Sequence, residues 1–258
     1  MGRDAIKSAT PNLNSGRRTA VKRIPFPAGS GLFETMRTED GKVAELSRHM
    51  RRAASSAKEL SIPFPDEDSL RNAIAEILSR ERLSIGRLRI CFSTDGIDLS
   101  HSEYSDESNP ARITFHSTSS KLVGTQHKTF PYDSHFAILD EAHLYGFDDA
   151  ITFNQSNEVA ETAIANISLL IEGKWITPPI SAGVLPGVMR AIAIERSDVL
   201  VAPIHISDIS RCEAALLLNS MKIARPVSHI GDYQLPAMAQ AVEKASQIRE
   251  KVEYFSVS

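Results

Sequence analysis

Four short segments between residues 127 and 190 carry the residue types that most directly suggest chemistry, and the first is built around a lysine. Lys128 is followed by Phe130 and Tyr132, so its amine is expected to lie in a partly apolar setting. Burial lowers the pKa of a lysine because the ammonium form loses its hydration, and the neutral amine is the nucleophilic form. A single lysine is nevertheless more often a solvated surface charge, and a single tyrosine is more often a packing residue.

The later segments add carboxylates, an amide and a helix start. Glu158 and Glu161 are followed by Asn166, which lies five residues after the second glutamate. Pro186 and Gly187 predict the first turn of a helix, because proline needs no hydrogen-bond acceptor there and glycine allows close approach. The free N–H groups of such a turn favour an anion such as phosphate. An isolated Leu-Pro-Gly would still be an ordinary helix start.

The order of these segments resembles the class IV aminotransferases, a family of pyridoxal-phosphate (PLP) enzymes that includes branched-chain and D-amino acid aminotransferases and aminodeoxychorismate lyase. The family pattern is a lysine with a tyrosine soon after, a glutamate five residues before an asparagine, a T-P-P strand end and an L-P-G-x-x-R turn. An H-x-x-R element on an upstream helix completes it. The chain matches this pattern, within about residues 29–227, at His49, Arg52, Lys128, Tyr132, Glu161, Asn166, residues 177–179 and residues 185–190.

The resemblance implies an α+β fold of two domains, the D-amino acid aminotransferase-like PLP fold type IV. Residues 1–22 are polar, rich in turn residues and without periodicity, so they are expected to form a flexible tail. The rest of the chain is expected to divide into a small α/β domain (23–120) and a larger, barrel-like domain (121–258). Residues 117–125 are the expected connector, and clefts between domains usually bind small ligands. A homodimer is also implied. The segment before Gly29 departs from the opening strands that are usual in the family.

The resemblance assigns four partners to the phosphate of PLP. Arg52 lies on a predicted helix from about residue 45 to residue 60, on one flank of its buried stripe, from which an arginine can reach a cleft. The backbone N–H groups of Val188 and Met189 and the hydroxyl of Ser220 are the other donors. The alternative interpretation of Arg52 is a plain surface cation in an arginine-rich helix.

The resemblance also assigns the contacts of the cofactor ring and its attachment. Lys128 would bind PLP covalently and later carry protons. Glu161 would keep the ring nitrogen protonated by charge pairing, with Glu158 as the competing candidate. Leu185 would pack on the ring face. Tyr132 is the family's tyrosine by position and is expected near the substrate.

The choice of reaction depends on Asn219 and Ser220. Class IV aminotransferases commonly carry Gly-Thr or Ser-Thr here, whereas Asn-Ser is similar to aminodeoxychorismate lyase, with Asn219 near the lysine and the substrate. The leading interpretation is therefore a lyase that forms 4-aminobenzoate and pyruvate in folate synthesis. The second is an aminotransferase for branched-chain, D- or another amino acid. The third is a PLP-binding protein without catalysis, which the intact Lys128, Arg52 and Glu161 argue against.

Composition excludes several other classes. The chain has 258 residues, of which 42% are hydrophobic and 24% charged, and a formal net charge of −3. This charge gives no electrostatic reason to expect nucleic acid or an anionic membrane as a partner. The two cysteines, Cys91 and Cys212, provide neither a disulfide framework nor a zinc site, and no metal is expected. Without a long apolar run or a signal-peptide core, a cytoplasmic location is expected.

Periodicity predicts the elements that must position these residues. Helices are expected at about residues 45–60, 68–80, 133–145, from 187 onward, and at 236–254. Strands are expected at 32–37, 87–93, 112–116, 150–153, 167–171, 174–177, 199–204 and 214–218. Residues 94–110, which include His101 and Tyr104, are predicted to form a loop. The strand at 112–116 is predicted to end the first half of the molecule.

Overall fold

The computed structural model describes residues 23–117 and 126–257, and these residues form two sheets and five α-helices. The helices are α1 (Leu46–Glu59), α2 (Glu67–Arg80), α3 (Asp133–Leu144), α4 (Val188–Arg196) and α5 (Met238–Arg249). The strands, in chain order, are β1 (Gly31–Glu39), β2 (Lys42–Ala44), β3 (Ile85–Ser93), β4 (Gly96–Glu103), β5 (Ala111–Phe115), β6 (Thr129–Phe130), β7 (Asp149–Phe153), β8 (Val159–Thr162), β9 (Asn166–Ile171), β10 (Lys174–Thr177), β11 (Leu200–Val201), β12 (Cys212–Asn219), β13 (Ile223–Ile230), β14 (Tyr233–Gln234) and β15 (Tyr254–Phe255).

The smaller sheet is antiparallel, with strand order β15-β2-β1-β3-β4 and β6 added to β1. Leu32, Met36 and Leu88 project from β1 and β3 into a core that α1 and α2 cover. The apolar residues at helical spacing in α1 are Leu46, Met50, Ala53, Ala57 and Leu60, and this predicted inward stripe is confirmed at Leu46, Ala53 and Ala57, which are buried. Leu60, the last member of that stripe, is exposed because α1 ends one residue before it.

The larger sheet has the strand order β11-β10-β9-β12-β13-β5-β7-β8, with β14 added to β13. Its central strand β12 is buried on both faces. Leu216 and Leu218 pack on the side of α4 and α5, whereas Ala215 and Leu217 pack on the opposite side, as the two-residue period of a strand requires. This mixed sheet beside a small antiparallel one confirms the α+β fold that the resemblance implied.

The predicted loop at residues 94–110 is wrong over its first part. Residues 96–103 form β4, which pairs antiparallel with β3 from Ser93↔Gly96 to Gly86↔Glu103. β4 is an edge strand in which Ile97 and Leu99 are the only apolar side chains and none is buried, so the sequence carries little of the apolar alternation that identifies a strand.

The strand predicted at residues 112–116 exists as β5, but it does not belong to the first half of the molecule. It pairs in parallel with β13 and β7 of the larger sheet. Conversely, β6 and β15 lie later in the chain and pair in the smaller sheet. Strand pairing between distant segments leaves no local signal, so sequence order alone misplaced these strands.

Several boundaries also differ. The strand predicted at 199–204 is only the two residues of β11, and the final helix ends at Arg249 instead of continuing to residue 254. β8 and β13 were not predicted as strands, although β8 carries one of the candidate carboxylates. The predicted tail (1–22) and most of the predicted connector (117–125) lie outside the described residues, so the domain limits stay a prediction. Within the described ranges, no helix combines the length and apolarity needed to cross a membrane.

Candidate active site

A cavity of about 970 Å³ lies between the two sheets, and every residue predicted to bind cofactor or substrate lines it. These residues come from distant parts of the chain: Arg52, Lys128, Tyr132, Glu161, Leu185, Val188, Met189, Asn219 and Ser220. Glu158, the competitor of Glu161, is not among the lining residues and instead accepts a hydrogen bond from the Asn154 side chain.

Lys128 sits where the chain joins the edge of the smaller sheet. Its carbonyl accepts a hydrogen bond of 2.9 Å from the backbone N–H of Phe33, and β6 follows directly. Its ammonium nitrogen lies 4.4 Å from the centre of the Phe33 ring and 5.1 Å from that of Tyr132. Burial, helped by repulsion from Arg52, lowers the pKa of Lys128 to about 8. A substantial neutral fraction therefore exists near neutral pH, as a nucleophilic lysine requires.

Tyr132 forms part of an aromatic wall beside this lysine. It makes an edge-on contact with Phe33, with ring centres 5.1 Å apart, and stacks on His135 at 3.8 Å. Burial raises the pKa of Tyr132, so its phenol stays protonated. The wall keeps one side of the lysine out of water.

Arg52 reaches the cavity from α1, held by a carboxylate that was not predicted as part of the site. Its guanidinium donates to both oxygens of Glu34, at 2.8 Å and 2.6 Å, and to the carbonyl of Pro186 at 3.1 Å. Burial would raise the pKa of Glu34, but Arg52 and His49 together hold it at about 2. Arg52 thus joins the smaller sheet to the start of α4.

Glu34 could have been found from the sequence. It lies on β1 two residues from both Leu32 and Met36, so it points into the core with them. A buried carboxylate needs a cationic or hydrogen-bonding partner, and the H-x-x-R element on the neighbouring helix supplies two. His49, the first residue of that element, is fully buried between Glu34 and Ser220.

Glu161 lies on β8 and is fixed by two donors. Its Oε2 accepts from the Asn166 side chain at 2.8 Å and from the Leu185 backbone N–H at 3.2 Å. Burial raises its pKa to about 7, and a protonated ring nitrogen placed beside it would lower that pKa again. Asn166 also donates to the Leu185 carbonyl at 3.1 Å, so the five-residue spacing serves to hold the glutamate and the turn together.

The start of α4 provides the expected anion-binding turn. Gly187 is its N-cap, and Val188 and Met189 are its first residues, whose N–H groups have no acceptor within the helix. A side chain on Gly187 would meet Asn166 Oδ1 at 1.9 Å, so glycine is required here for packing against Asn166. Arg190 turns away from the cavity end and donates to the Pro178 carbonyl at 2.7 Å, which links the L-P-G-x-x-R and T-P-P elements.

Asn219 and Ser220 open the turn between β12 and β13. The Asn219 oxygen accepts from the backbone N–H groups of Met221 and Lys222, at 3.1 Å and 2.8 Å, and its amide donates to the Ile164 carbonyl at 3.2 Å. The amide therefore closes the turn, and a contact with Lys128 or substrate stays a prediction. Ser220 faces His49, with 3.1 Å between Oγ and Nε2.

Two arginines of β3 also line the cavity, and sequence analysis assigned them no role. Arg89 is only 8% exposed, its Nε has no hydrogen-bond partner among the described residues, and its Nη1 donates to the Ile24 carbonyl at 2.7 Å. Arg87 lies 5.3 Å from the centre of the Tyr104 ring. Burial lowers the pKa of both, and neither forms an ion pair with a carboxylate in the described part of the chain. The sequence signal that could have identified these two arginines is their alternation along β3, with Leu88 between them.

The donor set fits PLP. Arg52 and the first turn of α4 meet at the Pro186 carbonyl and offer charge and N–H groups to a phosphate dianion. Glu161 is a fixed carboxylate for a ring nitrogen, and Lys128 is a cavity-lining amine with a lowered pKa for covalent attachment.

Comparison with known proteins agrees with this geometry. The sequence model of the amino-transferase class IV family matches residues 31–230. Aminodeoxychorismate lyase of Vibrio harveyi is 27% identical over 229 residues, which cover 80% of this chain and 84% of that protein. The fold is similar to that of a hypothetical aminotransferase from Mycobacterium tuberculosis in its PLP-bound form (TM-score 0.74, 20% identity, 86% of this chain and 88% of that one). It is also similar to the branched-chain amino acid aminotransferase of Escherichia coli (TM-score 0.73, 18% identity, 85% and 83%). The chain belongs to the class IV aminotransferase family, whose members are PLP-dependent enzymes.

Proposed function

We propose that this enzyme binds PLP and acts as an aminodeoxychorismate lyase, which converts 4-amino-4-deoxychorismate to 4-aminobenzoate and pyruvate. The observation that carries the proposal is the pair Arg87 and Arg89. Both line the cavity, burial lowers the pKa of both, and neither has a carboxylate partner among the described residues. The substrate of the lyase carries two carboxylates, and an arginine that keeps free donors is suited to bind one.

The alternative is an aminotransferase for branched-chain, D- or another amino acid, with a 2-keto acid as acceptor. Lys128, Arg52 and Glu161 serve that reaction equally well, because the two reactions share their first proton transfer. An aliphatic amino acid carries a single carboxylate, however, and would leave one of the two arginines without an anion in a partly buried cavity, which is unfavourable. The same argument weakens the non-catalytic interpretation.

The protein residues would divide the work as follows. Arg52, the N–H groups of Val188 and Met189, and the Ser220 hydroxyl hold the phosphate, and Leu185 packs on the ring face. When bound, PLP supplies an electron sink for the carbon that bears the substrate amino group, and Glu161 maintains it by holding a proton at the ring nitrogen.

Lys128 then removes the proton from that substrate carbon, for which its lowered pKa prepares it. Arg87 and Arg89 bind the carboxylates and orient the departing pyruvate. The aromatic wall of Phe33 and Tyr132 excludes water from the lysine. A homodimer and a role in folate synthesis, both implied by the same resemblance, are part of this proposal.

The test is a pair of assays on one PLP-loaded preparation. The first supplies chorismate, glutamine and an aminating synthase, and follows 4-aminobenzoate and pyruvate. The second follows amino transfer from glutamate, branched-chain amino acids and D-alanine to 2-keto acids. We expect lyase activity to dominate. Strong transamination without pyruvate release would overturn the proposal in favour of the aminotransferase.

Arg89→Met tests the observation that carries the proposal, since methionine keeps most of the volume and removes the charge. We expect KM for aminodeoxychorismate to rise about 10-fold to 100-fold, the loss of a charge-assisted hydrogen bond, with PLP affinity unchanged. Arg71→Met is the matched control, because Arg71 lies on the exposed face of α2 in an ion pair with Glu67.

A further inference from the structure

A chain of buried hydrogen bonds runs from Ser220 through His49 to Glu34 behind the cavity wall. Ser220 Oγ lies 3.1 Å from His49 Nε2, and His49 Nδ1 lies 2.7 Å from Glu34 Oε2. His49 is completely buried and Glu34 is 1% exposed, so the chain is closed to water except at its Ser220 end. Ser220 lines the cavity with Arg52 and the start of α4.

The proton positions along this chain follow from its chemistry. Glu34 is ionised, because Arg52 holds it in a double hydrogen bond, and a carboxylate can only accept. The hydrogen facing it must therefore sit on His49 Nδ1. Burial lowers the pKa of His49, so the ring is neutral and Nε2 carries a lone pair. Ser220 must then donate its hydroxyl hydrogen to Nε2.

This arrangement is mismatched to an anion. With its hydrogen committed to His49, Ser220 presents only lone pairs to the cavity, and a phosphate dianion offers only acceptors. Either the hydroxyl turns away and leaves a buried nitrogen without a donor, or the chain of hydrogen bonds reverses. Leaving the buried nitrogen unpaired would cost the full desolvation of that group.

We propose that binding of a phosphate or sulfate group in this cavity is coupled to the uptake of one proton from solvent by His49, which frees the Ser220 hydroxyl to donate to the anion. His49 Nε2 then donates to Ser220 Oγ, and His49 Nδ1 still donates to Glu34. The proposal rests on the proposed PLP phosphate site. His49 acts here as a positioning residue, because it touches neither cofactor nor substrate and sets the direction in which Ser220 donates.

The charges around His49 favour this reversal of the hydrogen-bond direction only when an anion is bound. Glu34 of β1 stabilises an imidazolium, whereas Arg52 of α1 and Lys128 next to β6 oppose it. A dianion bound beside Arg52 and Lys128 offsets that repulsion and adds attraction of its own. Burial, with a smaller contribution from these two cations, keeps His49 neutral without the anion, and the anion shifts the balance.

The test observes His49 directly, without relying on activity. Side-chain ¹⁵N spectra of histidine-labelled full-length protein are recorded at pH 8 without PLP, with sulfate, and with PLP. Sulfate is chosen because it stays a dianion and does not itself titrate in this range. The His49 signals are assigned by their loss in His49→Gln. We expect one protonated and one unprotonated nitrogen without the anion, and two protonated nitrogens with sulfate or PLP.

A linked measurement counts the proton. Sulfate binding to the PLP-free chain is followed by calorimetry at pH 8 in buffers of different ionisation enthalpy. We expect the wild type to take up close to one proton more than Ser220→Ala, which cannot reverse the chain and should bind sulfate more weakly, whereas uptake by Lys128, which is about half neutral at this pH, is common to both. Because Ser220 is only half-buried, this variant opens no large cavity in the core, although it leaves His49 Nε2 without its donor.

Two outcomes would overturn the inference. In the first, sulfate and PLP bind while His49 keeps its neutral form, which refutes the coupling and leaves the PLP site in place. In the second, neither ligand binds, which refutes the proposed function together with the inference. Equal proton uptake in wild type and Ser220→Ala would assign the proton to another group, such as Lys128, and also contradict the proposal.

Discussion

Lys128 lies in surroundings that differ strongly from those of an ordinary, solvated lysine. Its pKa is lowered from 10.5 to about 8, so between these values the unfolded chain binds more protons than the folded chain. Stability should therefore rise with pH across this range. Below pH 8 the folded chain holds a charge that its surroundings disfavour, and part of the fold's stability is given up to keep a reactive amine.

Lys128→Met should consequently stabilise the PLP-free protein at pH 7. We expect a gain of about 1–2 kcal/mol in the free energy of unfolding, less than the full shift because the side chain faces an open cavity. The gain should shrink towards pH 10, where the folded wild-type amine is neutral and the unfolded amine also begins to lose its proton. Urea unfolding at the two pH values checks this, with Lys42→Met at an exposed position of β2 as the control. A variant less stable than wild type at pH 7 would contradict the assignment.

The carboxylate of Glu161 is proposed to act through its charge on the ring nitrogen of PLP. Glu161→Gln can still accept the hydrogen bonds from Asn166 and Leu185, so the site should keep its shape and bind PLP. It loses the charge that pairs with the ring nitrogen, and we expect kcat to fall on the order of 10²-fold or more. Steady-state kinetics with Glu158→Gln as the matched control would decide, because Glu158 lies outside the cavity lining. Equal losses in both variants would show that the effect is not specific to the cavity.

At the level of elements, α1 and α4 meet around the proposed phosphate site. Arg52 projects from α1 to Glu34 and to the Pro186 carbonyl just before α4. Arg48 of α1 also crosses between these helices and pairs with Glu195 of α4. Arg51 alone of these three arginines is exposed without an ion pair in the described part of the structure.

Arg52→Met should weaken PLP binding about 10-fold to 100-fold, since a charge-assisted double donor is worth about 1.5–3 kcal/mol. The variant should also lower the stability of the PLP-free chain, because Glu34 stays buried with only His49 as partner. Arg51→Met is the control and should change neither property. Fluorescence titration with PLP and urea unfolding provide both values. Equal effects at positions 51 and 52 would mean that the helical phase of α1 is wrong.

The contact between β9 and the start of α4 requires a glycine at position 187, because there is no room for a side chain. Gly187→Ala would place a methyl group against Asn166 Oδ1, at 1.9 Å before any relaxation. Asn166 would have to move, and with it the hydrogen bonds to Glu161 and Leu185. We expect a loss of about 1–3 kcal/mol in stability and weaker PLP binding. Gly173→Ala is the comparison, because its φ of +72° strains an alanine in open space far from the cavity lining, so it should lower stability without affecting PLP.

At the scale of the whole molecule, the sequence singled out residues that the structure brings together in one cavity, but it misplaced several strands. Lys128, Glu161 and Arg190 lie in motifs whose spacing is set by short-range geometry, such as the hydrogen bond from Asn166 to Glu161. The positions of β5, β6 and β15 could not be predicted in this way, because they pair with strands that are distant in the chain. β4 was hidden by its polar edge position.

The site residues that the sequence did not predict were missed for a different reason. Glu34, Arg87 and Arg89 lie on predicted strands, but the face towards which a strand residue points becomes known only when the strand is placed in its sheet. A charged side chain at a core-facing or cavity-facing position is costly unless a partner or a ligand offsets it. Because of this cost, such charges can be recognised as candidate site residues once the strand pairing is known.

The cavity between the two sheets is the proposed PLP site, with Lys128 as the attachment point. The most direct measurement is to load the purified protein with PLP, reduce it with borohydride to make the attachment permanent, and map the labelled peptide by mass spectrometry. We expect a yellow protein before reduction and a single pyridoxyl group on Lys128 afterwards, absent in Lys128→Met. A pyridoxyl group on another lysine, or equal labelling of Lys128→Met, would contradict the claim.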